Sequence, residues 1–340
     1  MLCPDRWAAM RRRDFITLIG SISAVWPLAA HAQQPGRMRL IGVLVGYAES
    51  DPAAQSYVAA FRGALEKLGW TEGNSLRIEL RWSTGDANRI RTFAKELVDL
   101  RPDVILSITT PATAAVQRET QTIPIVFTAV GNPVGDGFVA SLSRPGGNIT
   151  GFMIQEPAIA GRWLELLTEI APRVTRAAAM VNPETSPGGG SYFVAEFEAA
   201  ARTLKVAPAI AAVHSEADIE AVILGLGREP SGGLVVTPSV FTINHRASII
   251  ALALRHNVPA VYRDAVNVKD GGLLSYGPDL GDIVRRAAAY VDRILRGATP
   301  AELPVQLPVK FEMALNMKAA KAPGLDVPPT LLALADDVIE

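Results

Sequence analysis

The chain has 340 residues, 49% of them hydrophobic and 20% charged, enough apolar sequence for more than one sizeable core. A formal net charge of −1, with no basic tract outside the N-terminus, argues against a nucleic-acid partner. The single cysteine, Cys3, precedes the first long apolar run, so the chain after it has no disulfide, thiolate nucleophile, cysteine metal site or lipid-attachment cysteine.

The chain opens like an export signal. Arg11-Arg12-Arg13-Asp14-Phe15-Ile16 precedes an apolar run from Thr17 to Trp26, and Ala30-His31-Ala32 offers a small-x-small cleavage site before Gln33. Residues 1–32 are therefore expected to be a signal peptide, with the mature protein in the periplasm. Arg12-Arg13 with Phe15-Ile16 resembles a twin-arginine signal, and an ordinary Arg-rich secretory signal is the alternative. Met10, directly before the Arg run, is an alternative start to Met1. No later apolar run reaches the roughly 18 residues that a bilayer span needs.

Beyond this point strands and helices alternate. Arg39 to Val45 reads as a buried strand, Gln55 to Leu68 as an amphipathic helix, Leu76 to Trp82 as an alternating strand and Ala87 to Leu100 as a second helix. Asp103 to Asn132 is the organising stretch. Two uninterrupted apolar strands flank a helix that Thr109 or Thr110 can cap and whose first turn suits Pro111. A Gly- and Pro-rich passage from Ser143 to Phe152 ends the first half.

The alternation then restarts. Helices are expected at Gly161 to Ile170, Phe193 to Leu204, Ala217 to Leu226 and Asn244 to His256. Strands are expected at Arg176 to Val181, around Ala207 to Val213, at Gly233 to Pro238 and at Pro259 to Tyr262. A late strand at Gly271 to Gly277, a helix at Asp279 to Leu295 and a strand-helix tail at Pro304 to Ala320 follow. Such alternation implies parallel sheets with right-handed crossovers. Two α/β lobes hinged about a ligand cleft are the expected architecture. The first would hold residues 38–151 and 271–297, the second 152–270 and 303–322, with 323–340 as a tail.

Four stretches are more specific. Thr109-Thr110-Pro111-Ala112-Thr113, Phe127 to Gly135, Arg144 to Gly151 and Gly271 to Gly277 occur in an order that resembles the ABC transporter substrate-binding proteins, of the type that includes tryptophan- and tyrosine-binding members. Phe311-Glu312-Met313, Asn316-Met317-Lys318 and Pro328 to Leu332 resemble members from Gram-negative bacteria. The resemblance implies a type I periplasmic-binding fold with three crossovers, a small-molecule ligand, no cofactor, and delivery to a permease in the inner membrane. The family's usual acidic residue before Pro-Val-Gly is Asn132 here, which removes a charge near the cleft.

Strand ends facing the cleft supply the candidate site. In the first lobe these are Gly46, Tyr47, Thr109, Thr110, Pro111, Ala112, Thr113, Thr128, Ala129, Val130 and Asn132. In the second they are Asn182 with Pro183, Thr237, Pro238, Ser239, and then Arg263 and Asp264; Tyr276 follows the late strand. The N–H groups and hydroxyls of Thr110 to Thr113 would hold a carboxylate. Asp264 would pair a ligand ammonium, unless it forms a surface ion pair with Arg263. Tyr47 or Tyr276 would stack on the ligand, unless Tyr47 covers the hinge and Tyr276 is a half-buried strand aromatic. Asn182-Pro183 reads equally well as a strand-ending turn.

Catalytic patterns are scarce. His31, His214, His245 and His256 are scattered, without triad or ligand spacing. Gly225-Leu226-Gly227 and Gly188-Gly189-Gly190 lack the residues of nucleotide loops. The expectation is a monomeric solute-binding protein with no enzymatic activity, cofactor or metal, binding an amino-acid-like or other carboxylate-bearing molecule, aromatic ones included. A periplasmic sensor module presenting its ligand to a receptor is the alternative.

Overall fold

The computed structural model describes residues 37–154, 156–228, 231–322 and 324–340, and its strands form two sheets. The expected signal segment, 1–32, lies outside the described residues.

The first sheet has the order β2-β1-β3-β4-β5, all neighbours parallel. Its strands are β1 (Arg39–Val45), β2 (Leu76–Trp82), β3 (Val104–Ile108), β4 (Ile125–Val130) and β5 (Ile149–Met153). Every residue of β3, β4 and β5 is buried, as strands covered on both faces must be. On one face Ile41, Val43 and Leu106 pack with Val58, Phe61 and Leu65 of α1 (Pro52–Lys67). On the other, Leu44 and Ile105 pack with α2 (Ala87–Asp99) and α3 (Thr110–Glu119). Helix α1 begins before the expected Gln55 because Asp51 accepts from the Ala53 N–H (2.9 Å) and Pro52 needs no acceptor there.

The second sheet has the order β12-β11-β10-β9-β8-β6-β7. It contains β6 (Arg176–Val181), β7 (Ala207–Ala212), β8 (Gly232–Val236), β9 (Ala260–Tyr262), β10 (Leu274–Pro278), β11 (Phe311–Asn316) and β12 (Asp337–Ile339). Only the β10–β11 pair is antiparallel, because the chain leaves this lobe after β10 and returns as β11. Around the sheet lie α4 (Ile159–Ile170), α5 (Ser191–Leu204), α6 (Glu216–Gly227), α7 (Val240–Asn244), α8 (Arg246–Arg255) and α9 (Ala265–Lys269).

Four expectations are corrected. The strand within 271–297 belongs to the second sheet, where Leu274 joins the core beside β9 and β11. Only α10 (Leu280–Leu295) returns to the first lobe, its Ile283, Val284, Ala287 and Val291 in that core. The Gly- and Pro-rich passage ends in strand β5, where Gly151 is required because a Cβ would meet the Phe127 backbone. The 323–340 tail is structural: after α11 (Met317–Lys321), α12 (Pro329–Leu334) buries Leu331 and β12 pairs with β11. The helix expected from Asn244 starts earlier and breaks at His245, because Ser239 and Thr242 cap each other at the start of α7.

Three crossovers join the lobes, after β5, after β10 and before β11. The third runs beside β5, exchanging bonds through Gln306 with Met153 (2.9 Å) and Gly151 (3.0 Å). It meets the second where the Asp279 N–H donates to the Lys310 carbonyl (3.0 Å) and Lys310 Nζ pairs with Asp279 (2.8 Å).

The lobes touch on both sides of the cleft. Arg246 donates to Asp51 (2.8 Å) and Asn244 to the Thr84 carbonyl (3.2 Å), while Ile243 packs against the first lobe's core. Opposite, a Cβ on Gly131 would come within 2.8 Å of Pro187, so only glycine permits this approach. Asp136 reaches the Gly188 N–H at the same end, near Tyr192 and Glu156.

Two outcomes follow. Trp163 is fully buried, its indole N–H donating to the Tyr276 carbonyl (2.6 Å) and its ring 5.6 Å from Phe193. Trp163→Ala should cost about 3–5 kcal/mol in urea unfolding, and a loss under about 1 kcal/mol would contradict this packing. Burial raises the Asp136 carboxyl above its usual range, the Gly188 N–H opposing only in part. A carboxyl raised on folding contributes stability below its unfolded pKa and loses it as pH rises through the folded value. Asp136→Asn should therefore melt above the unaltered protein at about pH 7, with the gap closing towards about pH 4. A gap independent of pH would show that this carboxyl is not desolvated.

Candidate functional site

The cleft is built where strands of both sheets end. From the first lobe, β1 ends at Gly46-Tyr47, β3 at Thr109 and β4 at Ala129 and Val130. Thr109 precedes α3 with φ 104° and ψ 152°, a region that non-glycine residues enter at a cost of about 1–3 kcal/mol. Ala129 also has positive φ, 57°. Two strained residues on adjacent strand ends mark a place where the surrounding structure dictates the backbone.

Several contacts hold Thr109 in this conformation. Its N–H donates to the Thr128 carbonyl (3.1 Å), and its carbonyl accepts from the Thr113 N–H (3.0 Å) and Thr113 hydroxyl (3.0 Å). The Thr113 hydroxyl also bonds Ser107 Oγ (2.8 Å). Gly46 cannot carry a side chain here, because a Cβ would collide with that of Thr109. The Thr109 hydroxyl itself is buried without a partner, as is that of Thr128. Next to it the first turn of α3 presents N–H groups without intrahelical acceptors, Pro111 contributing none.

The second lobe supplies a cation. Arg263 follows β9, is 4% exposed, and donates to Asp264 at 2.6 Å, while its Nε has no partner. Burial opposes its charge, but Asp264, Tyr47 and Tyr57 together outweigh that and the net effect raises its pKa. Tyr47 lies beside it, and burial pushes the phenol up to about 12 although Arg263 acts the other way, so the hydroxyl stays protonated.

Tyr47, Ile243 and Arg263 line two adjoining chambers. One lies between Thr109, Thr110, Pro111 and Ala129 on one side and Thr185, Pro187, Pro238, Ser239 and Val240 on the other. The second is bounded by Asp51, Tyr57, Arg246, Asp264, Asn267 and Leu280.

Of the expected residues, Tyr47, Thr109, Thr110, Pro111, Ala129, Pro238, Ser239 and Asp264 line these chambers. Thr237 lines a small adjoining hollow with Asp264, its hydroxyl donating to the Met180 carbonyl (2.6 Å). Gly46 and Thr128 stand behind the wall. Others have different work. Ala112 and Val130 are core residues, and the Thr113 hydroxyl is spent inside the β3–α3 turn. Asn132 accepts from the Gly135 N–H (2.9 Å) in its own turn. Asn182 is saturated by Glu184, Thr185 and the Val213 carbonyl, which makes it a strand-ending turn. Tyr276 stacks on Phe311 at 5.7 Å, away from both chambers. The Arg263–Asp264 pair is buried rather than on the surface, with side chains 3% and 12% exposed.

Tyr57, Asp51, Arg246, Ile243 and Thr185 are lining residues that sequence reasoning did not select, and Arg263, placed with Asp264 at a strand end, was given no role of its own. Its place directly after a short apolar strand is what put it at the cleft. Among the described residues no group of three His, Cys, Asp or Glu could hold a metal ion, and no helix is long and apolar enough to cross a membrane.

Comparison with known proteins agrees with this architecture. A tyrosine-binding protein of Clostridioides difficile is 24% identical over 83% of this chain and 79% of its own length. A conserved domain protein from Vibrio cholerae superposes with a TM-score of 0.82 at 26% identity, over 89% of this chain and all of that one. An ABC domain from Streptococcus pneumonia in complex with L-Trp gives 0.81 at 25% identity, over 88% and 99%. The fold is that of the type I periplasmic-binding proteins. The profile described as "ABC transporter substrate binding protein" matches residues 42–339, and the chain belongs to that family.

Proposed function

We propose that this chain is the solute-binding component of an ABC importer. It captures a small amino-acid-like or other carboxylate-bearing molecule, aromatic ones included, between its lobes and delivers it to a membrane permease without chemistry of its own. One observation carries the reading: a chamber between the lobes into which a strained helix N-terminus and a buried cation converge, with Thr109 Oγ1 and Arg263 Nε unpartnered. Buried polar groups are rarely left without partners, and a bound anion would satisfy both. Family membership supports the reading, as do a relative named for tyrosine binding and a related structure holding L-Trp.

In this proposal the N-terminal segment directs export to the periplasm and Gln33 begins the mature chain. Residues 38–153 with 280–306 form one moving body, and 156–278 with 311–340 the other. They open about the three crossovers and close over the solute, which desolvates it and strengthens every polar contact to it. Tyr47 supplies both an aromatic wall and a protonated hydroxyl.

A thermal-shift screen against amino acids and aromatic acids tests this directly. A ligand at about 100 times its Kd should stabilise the protein by about 2.7 kcal/mol. Thr109→Val keeps the shape but removes one hydroxyl, and should weaken the bound acid about 2- to 10-fold. Unchanged affinity would place the carboxylate elsewhere.

A further inference from the structure

We propose that Asp136 is a proton-sensitive latch between the lobes: ionised, it opposes closure over the solute, and protonated, it permits closure. The proposal rests on the hinged closure of the solute-binding reading and applies whatever the solute is.

The turn after β4 builds one half of the latch. The Asp136 N–H donates to the Asn132 carbonyl (2.8 Å), and Asn132 Oδ1 accepts from the Gly135 N–H (2.9 Å). The other half is the glycine run of the second lobe, which no nucleotide loop explains. Gly188, Gly189 and Gly190 have φ of 55°, 64° and 90°, a left-handed series that glycine adopts readily. Here, beside the close approach of Pro187 to Gly131, the Gly188 N–H meets the Asp136 carboxyl.

That N–H is all the carboxylate gains from the opposite lobe. Asp136 Oδ2 is buried with no partner, and among the described residues no cation offsets the charge. Tyr192 faces it from α5, and burial, then Glu156 and Asp136, push that phenol up, so it stays neutral. Gln117 of α3, which bonds the Gly137 carbonyl (2.9 Å), is uncharged. Asp136 is the only titratable residue in 131–137, and 187–191 contain none. On the far side of the cleft the situation is reversed, since Asp51 meets Arg246 at 2.8 Å and charge there assists closure.

Closure therefore strips water from an uncompensated carboxylate, which favours its neutral form. Opening returns it to water and to its ordinary range. The closed form is favoured most below about pH 4, and that advantage is lost as pH rises through the raised value of the closed form.

Hydrogen exchange of the solute-free protein, taken relative to each amide's intrinsic rate, tests the latch. At about pH 7, Asp136→Asn should slow exchange about fivefold or more at 131–137 and 186–192. The same slowing should occur across the cleft at 82–86 and 240–246, where Asn244 donates to the Thr84 carbonyl (3.2 Å). The gain should vanish towards about pH 4. Asp136→Ala, which removes the charge together with the Gly188 acceptor, should act in the same direction, so the outcome does not hang on one variant folding. Equal exchange in the unaltered and both altered proteins at about pH 7 would overturn the latch. So would a gain confined to 131–137 and 186–192, or one that persists unchanged at about pH 4. The thermal-shift screen reads solute binding separately, so each of these results leaves the solute-binding reading standing.

Discussion

A guanidinium with almost no access to water must be matched by charge or it will not fold where it is, and Arg263 is the group on which the cleft depends. Asp264, the next residue, supplies the matching charge at 2.6 Å. The pair is neutral overall, so it can remain buried between the lobes, yet it leaves Nε unbonded. Tyr47 from the first lobe lies against it, and the two side chains together with Ile243 separate the chambers. Whatever enters must contend with a donor that is already paid for by Asp264. That arrangement leaves Arg263 Nε free to donate to an incoming acceptor.

The second constraint is the backbone. Thr109 at φ 104° and Ala129 at φ 57° occupy conformations that a chain avoids without reason. They persist because Ser107, Thr113 and Thr128 bond the turn from three sides and because Gly46 yields space to the Thr109 side chain. Thr113 is thus a positioning residue. Its hydroxyl holds the Thr109 carbonyl instead of meeting a ligand, which frees the helix N-terminus to point outward.

Much of this was legible in the residues. Strand periodicity located β1, β2 and the β3–α3–β4 unit, and the rule that ligands bind at strand ends led to Tyr47, Thr109, Thr110 and Ala129. The errors have physical sources. Asn182 and Asn132 resemble ligands because short amides bond well, but the nearest groups were their own turns. Tyr276 sits at a strand end whose face packs on Phe311, and alternation alone cannot say which face of a strand looks into the cleft. The β10 segment was assigned to the wrong lobe because strand and following helix were taken as one unit, whereas the chain crosses between them at Asp279. Arg263 was placed with Asp264 at a strand end facing the cleft but given no role there, since the burial that sets its role depends on the opposing lobe.

The most direct test of the central claim is a crystal structure of the protein grown with 3-phenylpropionate. The account predicts the carboxylate between Arg263 and the first turn of α3, within hydrogen-bond reach of the Thr109 hydroxyl, with the ring against Ile154, Pro187 and Ile243. A carboxylate seated elsewhere, with Arg263 Nε still unbonded, would contradict it.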